Sequence, residues 1–303
     1  MTGNTGNSGT EAAPRISVVL PVHNGARYLA EAVGSVRAQT FPGWELILVD
    51  DASDDDTPAI AAGVAAEDPR IRVLRNAVNR RLPGSLNAGF DLARGAYFTW
   101  TSDDNRYHPG ALATMAAVLD RHPDTRVVYA ACDLIDDLGR KTGVWRAKAP
   151  RWILCHNVVK ACFLYRAGLH TELGGYDESR FLMEDWDFWI RAARVARFRR
   201  IRRRLYDYRL HGGSLTSTRL RDVVRAQFEV VGKALSESPG VTPRVAARSR
   251  LFLAMGAWRI GDPAEAARQV SAVRPVSRFW HRVVEAAFLA YRVKKRLGGF
   301  SGH

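Results

Sequence analysis

The sequence predicts an α/β fold in which a mostly parallel sheet is covered by helices on both faces. Short, almost continuously apolar segments rich in Val, Ile and Leu alternate with segments of helical periodicity, and this pattern is typical of parallel sheets. After about residue 218 the strand signals stop, and Ala/Arg/Leu/Val-rich helical stretches follow. We therefore expect an α/β domain over residues 14–217 and a small helical region over residues 218–303.

Five apolar runs bounded by turn residues are predicted to be strands of that sheet. They are the runs 15–22, 45–50, 71–74, 97–101 and 127–132. Apolar residues at helical spacing predict helices over 28–39, 86–93 and 109–121. A further helix is predicted to begin near Thr57, which can cap it, with Pro58 at its first position. Strands and helices therefore alternate through this part of the chain.

Composition restricts the class of protein. With 47% hydrophobic and 25% charged residues, the chain resembles an ordinary globular protein. Residues 1–13 are rich in Gly, Asn, Thr and Ser, so we expect a disordered tail without the apolar core of a signal peptide. No run has the ~18–20 apolar residues that cross a bilayer. Three cysteines without metal-ligand spacing favour a reducing compartment, so a cytoplasmic location is expected.

The net charge of +14 is concentrated in two places, an arginine run over residues 191–204 and a basic segment over residues 294–296. A basic excess suits a polyanionic partner such as nucleic acid, an anionic membrane or a phosphate-bearing substrate. A solvated surface is the alternative for either run. Apolar and basic residues also alternate at helical spacing over 282–295. That segment predicts either an interfacial helix on an anionic membrane or a helix packed on the domain.

Polar clusters follow three of the predicted strands. His23–Asn24 follows the first strand, Asp50–Asp51 ends the second, and Asp103–Asp104 follows the fourth. Ligands of parallel sheets bind beyond the carboxyl ends of the strands, so these clusters are expected along one edge. Mg²⁺ and Mn²⁺ take carboxylate oxygens together with substrate phosphates. The Asp103–Asp104 pair therefore predicts a metal held against a diphosphate, with an ordinary turn as the alternative.

Four motifs together resemble the family 2 glycosyltransferases. They are SVVLPVHN at 17–24, VDDASDD at 49–55, WTSDDN at 100–105 and GGYDESRFLMEDWD at 174–187. Each motif is weak alone, and the resemblance depends on their order and spacing over about residues 16–216. It implies the GT-A fold and an inverting, metal-dependent transfer from a nucleotide-sugar.

The resemblance also implies which residues form the donor site. The residues implied in nucleotide-sugar binding are Pro21, His23, Asn24, Asp50, Asp51, Arg81, Asp103 and Arg209. Asp51 would contact the base or the ribose, and Arg81 matches an arginine that reaches the nucleotide. Asp103 and Asp104 match the metal-binding acidic corner of the family, where Thr101 replaces the usual first acid. This departure leaves open which carboxylate contacts the metal directly.

Two more elements carry implied roles. Asp185 matches the catalytic base, and Glu184 would orient the acceptor or the loop. Inversion is one in-line displacement, so the attacking hydroxyl must lose a proton, and a carboxylate among aromatic residues should have a raised pKa. The alternative is a helix N-terminus whose acids suit the helix dipole. In a distal His-x-x-Ser element, His211 would ligate the metal or bond the diphosphate, and Arg209 would offset phosphate charge.

Two other functions compete with sugar transfer. A nucleotidyltransferase that makes nucleotide-sugars would need a glycine-rich basic signature after the first strand, and LPVHNG over 20–25 is not one. A non-catalytic nucleic-acid-binding protein would explain the charge but not the paired carboxylates, so no nucleic-acid partner is expected. The expected partners are a nucleotide-sugar donor and a glycan or lipid-linked acceptor, with a peripheral membrane contact through the basic C-terminal helix as a further option.

Overall fold

The first four strands form a parallel sheet. In a computed structural model, which describes residues 13–238 and 240–273, these strands are β1 (Ile16–Val22), β2 (Trp44–Asp50), β3 (Ile71–Arg75) and β4 (Tyr97–Trp100). Strand β1 lies between β2 and β4, with Val22 opposite Asp50 and Val19 opposite Trp100. Because these ladders are parallel, the loops that follow β1, β2 and β4 leave the same edge of the sheet.

Five further strands make the sheet mixed. They are β5 (Arg106–Tyr107), β6 (Thr125–Ile135), β7 (Lys141–Trp145), β8 (Phe163–Arg166) and β9 (Arg197–Arg209). The strand order is β3-β2-β1-β4-β8-β6-β9-β5, and β7 pairs with β6. Strand β8 is antiparallel to β4 and β6, whereas β9 runs parallel to β6. The predicted α/β fold is confirmed, but β5, β7, β8 and β9 lie outside the five strands predicted from sequence.

Helices flank the sheet and continue beyond it. They are α1 (Ala26–Arg37), α2 (Thr57–Glu67), α3 (Arg81–Asp91), α4 (Ala111–Arg121), α5 (Ala167–Leu173), α6 (Glu184–Ala192), α7 (Leu215–Thr218), α8 (Leu220–Glu237), α9 (Pro243–Arg259) and α10 (Pro263–Ser271). Helix α2 begins at Thr57 as predicted, although its N-cap is Asp56 and Pro58 occupies the first turn. Thr57 instead accepts a hydrogen bond from the Gly25 amide, which lies at the start of α1.

The central strands are buried on both faces. Leu20 and Leu48 belong to one core cluster with Leu29 and Val33 of α1. On the opposite face, a Cβ added to Gly89 of α3 would lie 2.5 Å from a methyl carbon of Val19, so this helix packs directly on β1. Each fully buried aliphatic side chain of this kind contributes about 1.5–3 kcal/mol. This two-sided burial explains the continuous apolar runs of the sequence.

The described residues divide into two compact units. The first comprises residues 13–147, 159–178 and 195–210, and the second comprises residues 148–158, 179–194, 211–238 and 240–273. Within the second unit, Trp186 of α6 donates its indole N–H to the Ile153 carbonyl at 2.6 Å and its ring lies 5.6 Å from that of Phe252 in α9. Helices α8 to α10 confirm the predicted C-terminal helices.

The compact units do not coincide with the predicted domains, because residues 148–158 and 179–194 of the predicted α/β domain belong to the second unit. The predicted domain boundary between residues 217 and 218 stays a prediction. The predicted disordered tail and basic C-terminal segment fall almost wholly on residues 1–12 and 274–303, outside the described residues. Among the residues that the structure describes, no helix combines the length and the apolar character needed to span a membrane.

Candidate functional site

The Asp103–Asp104 pair lies just beyond the end of β4, beside the loop that precedes α1. A Cβ added to Gly25 would lie only 1.9 Å from the carboxylate oxygen Oδ2 of Asp103. Glycine is therefore required at residue 25, because any side chain there would displace the carboxylate. No role for Gly25 follows from the sequence, because its close approach to Asp103 depends on the parallel pairing of β1 with β4.

The surroundings of this pair favour a bound cation. Burial, and after it the negative charge of Asp104, raises the pKa of Asp103 to about 7. A divalent cation would offset the repulsion between the two carboxylates, and carboxylate oxygens are the ligands that Mg²⁺ and Mn²⁺ prefer. The donor chemistry of Asp103 and Asp104 therefore fits the metal that the sequence predicts.

Arg209 supports this corner from within the protein. Its Nε donates to the Asp104 carbonyl at 2.9 Å, and its own amide donates to Asn105 Oδ1 at 2.8 Å. The same guanidinium donates to the Asp136 carbonyl at 3.0 Å and to Glu31 Oε2 at 2.5 Å. Only 1% of the Arg209 side chain is exposed. Arg209 therefore fixes the backbone that carries the carboxylates, and its predicted contact with nucleotide phosphate stays a prediction.

Thr101, which stands where the family usually has an acid, is also buried. Its hydroxyl shares a 2.6 Å hydrogen bond with the hydroxyl of Tyr206 in β9. Its amide donates to the Val19 carbonyl at 3.0 Å, which extends the pairing of β4 with β1. Thr101 therefore anchors the strand end from which the Asp103–Asp104 pair projects.

The two acids at the end of β2 organise their own loops. Asp51 is buried, and its Oδ1 accepts from Asn76 Nδ2 and from the Arg80 amide, both at 2.8 Å. Asp50 is also buried; its Oδ1 accepts from the Ser53 amide at 3.0 Å, and its Oδ2 lies 3.2 Å from Arg75 Nε. These contacts hold the loops after β2 and β3 together at the carboxyl edge of the parallel strands.

The remaining predicted donor-site residues also lie in the first unit. Pro21 is buried within β1, opposite Val49. His23 is exposed, and its Nδ1 donates to the Asp51 carbonyl at 2.9 Å. Asn24 has a φ of +55° and accepts from the Asp54 amide at 3.0 Å through Oδ1. Arg81 is exposed at the start of α3 with a φ of +62°. The loops after β1 and β2 are thus joined by hydrogen bonds.

Glu184 and Asp185 lie in the second unit, in the first turn of α6. Asp185 Oδ2 accepts from Asn157 Nδ2 at 2.6 Å, and Oδ1 accepts from the Trp186 amide at 2.6 Å. Burial raises the pKa of Glu184, and the charge of adjacent Asp185 raises it further. Asn157 therefore fixes the orientation of the Asp185 carboxylate, a role that the sequence did not assign to it.

His211 also belongs to the second unit, and its carbonyl accepts from the Ser214 amide at 3.4 Å. Asp103 and Asp104 belong to the first unit. A metal-ligand role for His211 therefore rests on the family resemblance and stays a prediction.

A second acidic group in the first unit has the spacing of metal ligands. His108, Asp133 and Asp207 offer ligand atoms that all lie within 4.8 Å of one another. The fold already provides cations for both carboxylates. Asp133 pairs with Lys141 at 2.6 Å and Arg204 at 3.1 Å, and Asp207 pairs with Arg106 at 2.8 Å. The charge balance of this group thus suits an ion-pair network better than a divalent cation.

Comparison with known proteins identifies the family. Residues 17–203, more than half of the chain, match the sequence family described as Glycosyl transferase family 2. The putative glycosyltransferase EpsE of Bacillus subtilis is 33% identical over 193 residues, which cover 59% of this chain and 67% of EpsE. A PGL/p-HBAD biosynthesis glycosyltransferase of Mycobacterium bovis is 30% identical over 59% of this chain and 70% of its own length. Protein y4gI of Sinorhizobium fredii is 32% identical over 68% of this chain, but that match spans only 23% of y4gI.

Solved structures show the same fold. The S. aureus TarS fragment 1–349, crystallised with UDP-GlcNAc, has a TM-score of 0.69 at 17% identity and covers 95% of this chain and 93% of its own. The mannosyltransferase PcManGT from Pyrobaculum calidifontis, in complex with GDP-Man and Mn²⁺, has a TM-score of 0.65 at 18% identity, with coverages of 95% and 84%. These similarities confirm the predicted GT-A fold. By its sequence match over residues 17–203, the chain belongs to glycosyltransferase family 2.

Proposed function

We propose that the protein transfers a sugar from a nucleoside-diphosphate sugar to a hydroxyl acceptor, with inversion at the anomeric carbon. The observation that carries this proposal is the Asp103–Asp104 pair just beyond the end of β4, where burial and the neighbouring charge of Asp104 raise the pKa of Asp103 to about 7. The chain belongs to glycosyltransferase family 2, and the family resemblance implies that such a pair holds a divalent metal against the donor diphosphate. Structural neighbours that bind UDP-GlcNAc and GDP-Man support a nucleotide-sugar as the donor class.

On the donor side, the residues divide by exposure. His23, Asn24 and Arg81 are exposed at the sheet edge, so they are proposed to contact the nucleotide. Pro21, Asp50 and Asp51 are buried and would shape the base pocket, with Asp51 positioning the loop at Asn76 and Arg80. Asp103 and Asp104 would hold Mn²⁺ or Mg²⁺, which would offset the charge of the departing diphosphate.

On the acceptor side, Asp185 is proposed to take the proton of the attacking hydroxyl. In this step the bond between the anomeric carbon and the diphosphate oxygen breaks, and a bond from that carbon to the acceptor oxygen forms. The nucleoside diphosphate leaves, and the hydroxyl proton passes to the Asp185 carboxylate. The 2.6 Å hydrogen bond from Asn157 fixes that carboxylate. The raised pKa of Glu184 favours its neutral, protonated form next to Asp185.

The proposal is tested by following nucleoside diphosphate release from a panel of uridine, thymidine and guanosine sugars with Mn²⁺ or Mg²⁺. Asp185→Asn should lower turnover by about 1,000-fold, since general-base catalysis contributes ~10²–10⁴-fold. Asp187→Asn is the matched control, because Asp187 lies in the same turn but pairs with Arg191 at 2.7 Å. Turnover in that control should stay within about threefold of the parent.

Three results would contradict the proposal. They are the absence of nucleoside diphosphate from every donor, equal losses in the two variants, and pyrophosphate as the product. Pyrophosphate would instead identify a nucleotidyltransferase. Steeply salt-dependent binding of nucleic acid without any turnover would favour the non-catalytic alternative.

The acceptor is proposed to be a glycan or a lipid-linked glycan of bacterial surface polysaccharide, cell-wall or glycolipid synthesis. The mycobacterial relative named for PGL/p-HBAD biosynthesis supports this class of pathway. We place the enzyme in the cytoplasm, with the basic C-terminal segment as a candidate contact with the inner face of the membrane. Sedimentation with anionic vesicles, with and without the residues after Ser277, tests that contact. Equal recovery in the supernatant would rule it out.

A further inference from the structure

A groove of about 500 Å³ in the first unit is lined by four arginines and three small or branched apolar residues. Its lining residues are Ala131, Val144, Arg146, Ala147, Arg200, Arg202 and Arg204. Three of these arginines come from the basic run that the sequence left open between a solvated surface and a polyanion site. In the structure these three arginines lie in β9, and the fourth, Arg146, directly follows the end of β7.

The pairing of three neighbouring strands forms the groove. Strand β6 lies between β7 and β9, and the side chain of Ala131 is too small to fill the space between them. The register shifts where Ala130 pairs with Ile201 but Ala131 pairs with Arg204, so β9 contains two extra residues there. Such bulges redirect side chains. Arg200, which precedes this shift, and Arg202 and Arg204, which lie within and after it, all line the groove.

The positive charge of the groove is only partly compensated within the fold. Arg204 forms an ion pair with Asp133 at 3.1 Å, and Asp133 also pairs with Lys141. Arg200 donates to the Ala147 carbonyl at 3.1 Å, which positions its guanidinium but does not neutralise it. In the part of the chain that the structure describes, neither Arg146 nor Arg202 forms an ion pair with a carboxylate. Among the described residues, one of the four guanidiniums is therefore paired with a carboxylate, and a bound anion would relieve the repulsion among the others.

The lining also restricts the kind of anion. Its described lining residues include no aromatic ring, so they offer no surface on which nucleobases or sugar rings stack. The same described residues include no carboxylate or carboxamide that would bind sugar hydroxyls. Guanidinium groups match phosphate with two parallel hydrogen bonds, and a volume of about 500 Å³ falls within the usual range for a small-molecule site.

We infer that this groove binds a phosphate group carried by the acceptor. The identification of the ligand as an acceptor rests on the proposed function, whereas its phosphate chemistry follows from the groove itself. The groove would recognise the acceptor by its phosphate charge. An acceptor that carries phosphate would then be held through Arg146, Arg200 and Arg202, with Arg204 shared between the ligand and Asp133.

The test is binding of inorganic pyrophosphate, measured by titration calorimetry at low salt in EDTA, which removes metal-bridged binding at Asp103 and Asp104. The variant Arg146→Gln/Arg200→Gln/Arg202→Gln should weaken binding at least about tenfold, because each guanidinium supplies charge-assisted hydrogen bonds. Arg121→Gln/Arg221→Gln/Arg225→Gln is the matched control. It removes the same charge from exposed helical positions outside the groove and should stay within about twofold of the parent. Far-UV circular dichroism checks that both triple variants fold.

Single substitutions sharpen the test. Arg202→Gln should weaken binding more than Arg203→Gln, because Arg203 is its exposed neighbour in β9 but does not line the groove. Arg202→Lys should fall between the parent and Arg202→Gln, because lysine keeps the charge but loses the bidentate geometry.

Two further probes identify the source of the phosphate. If binding to vesicles of 70% phosphatidylcholine and 30% phosphatidylglycerol is lost in the same triple variant, the phosphate belongs to a lipid headgroup. If vesicle binding does not change, the phosphate belongs to a water-soluble acceptor. The inference is overturned if pyrophosphate does not bind or if both triple variants weaken binding equally. It is also overturned if the groove variant loses only binding of a single-stranded oligonucleotide. Because pyrophosphate binding needs neither metal nor donor, its outcome is independent of whether sugar transfer is observed.

Discussion

The two acidic groups of the first unit, the Asp103–Asp104 pair and the cluster of His108, Asp133 and Asp207, offer similar ligand atoms in opposite electrostatic surroundings. Burial and the neighbouring carboxylate of Asp104 together raise the pKa of Asp103 to about 7. Burial would also raise the pKa of Asp207, but hydrogen bonds and charge from His108 and Arg106 hold it below its ordinary value. The cluster is therefore neutralised by the fold, whereas the surroundings of the pair support our proposal that it binds a cation.

The largest expected effect is on metal-dependent turnover. Asp103→Asn should lower metal-dependent release of nucleoside diphosphate by about 100-fold, because it removes a charged ligand from the cation that stabilises the leaving group. Asp207→Asn should change turnover by less than about threefold, because that carboxylate is already paired with Arg106. Steady-state rates over a Mn²⁺ titration measure both. If Asp207→Asn shows the greater loss, the cluster is the metal site and the comparison fails.

For folding stability the order of the two substitutions should be reversed, with Asp207→Asn more damaging than Asp103→Asn. Asp207→Asn should cost about 2 kcal/mol of unfolding free energy at pH 7, because it breaks charged hydrogen bonds to His108 and Arg106. A lowered folded-state pKa contributes stability that is fully present above the ordinary value of 3.8 and is lost as the pH falls through the folded pKa. The difference between variant and parent should therefore shrink as the pH falls below 3.8.

Asp103→Asn is the partner measurement for this stability comparison. In EDTA at pH 8 it should raise the melting temperature by roughly 3 °C, because it removes a buried charge next to Asp104. Urea and thermal unfolding of the three proteins measure both effects. Destabilisation of the metal-free protein by Asp103→Asn would show that the pair is structurally compensated after all.

A third comparison, measured as a pH slope of stability, concerns Glu184, the buried acid of the second unit. Burial and Asp185 raise its pKa, so the folded state holds this proton more tightly than the unfolded state does. Stability should then fall as the pH rises from 4.5 through the folded pKa, with an upper limit of about 1.4 kcal/mol per pH unit for one proton. Glu184→Gln should flatten that slope, whereas Glu237→Gln, at an exposed position of α8, should leave it unchanged. Identical slopes in all three proteins would show that Glu184 is charged in the folded state.

The first half of the fold could be predicted because its signals are local. Strands β1 and β2 are continuous apolar runs, and α1 and α4 have regular apolar spacing. The pattern within each segment is therefore enough to predict its secondary structure and its buried residues. The same reasoning missed β9, because arginines lie on both faces of this strand and hide the period of two. The short strands β5 and β8 gave too few residues for any period to appear.

For the candidate site, the sequence by itself determined that acids follow the strands of a parallel sheet, and hence that Asp50, Asp51, Asp103 and Asp104 lie along one edge. Only the tertiary structure decided what each side chain contacts. It buried Arg209 behind Asp104, held Asp185 with Asn157, and gathered arginines of β9 with Arg146 around one groove. The physical reason is that strand order and register set these contacts. They join residues far apart in the chain, and the spacing of residues along the sequence carries no record of them.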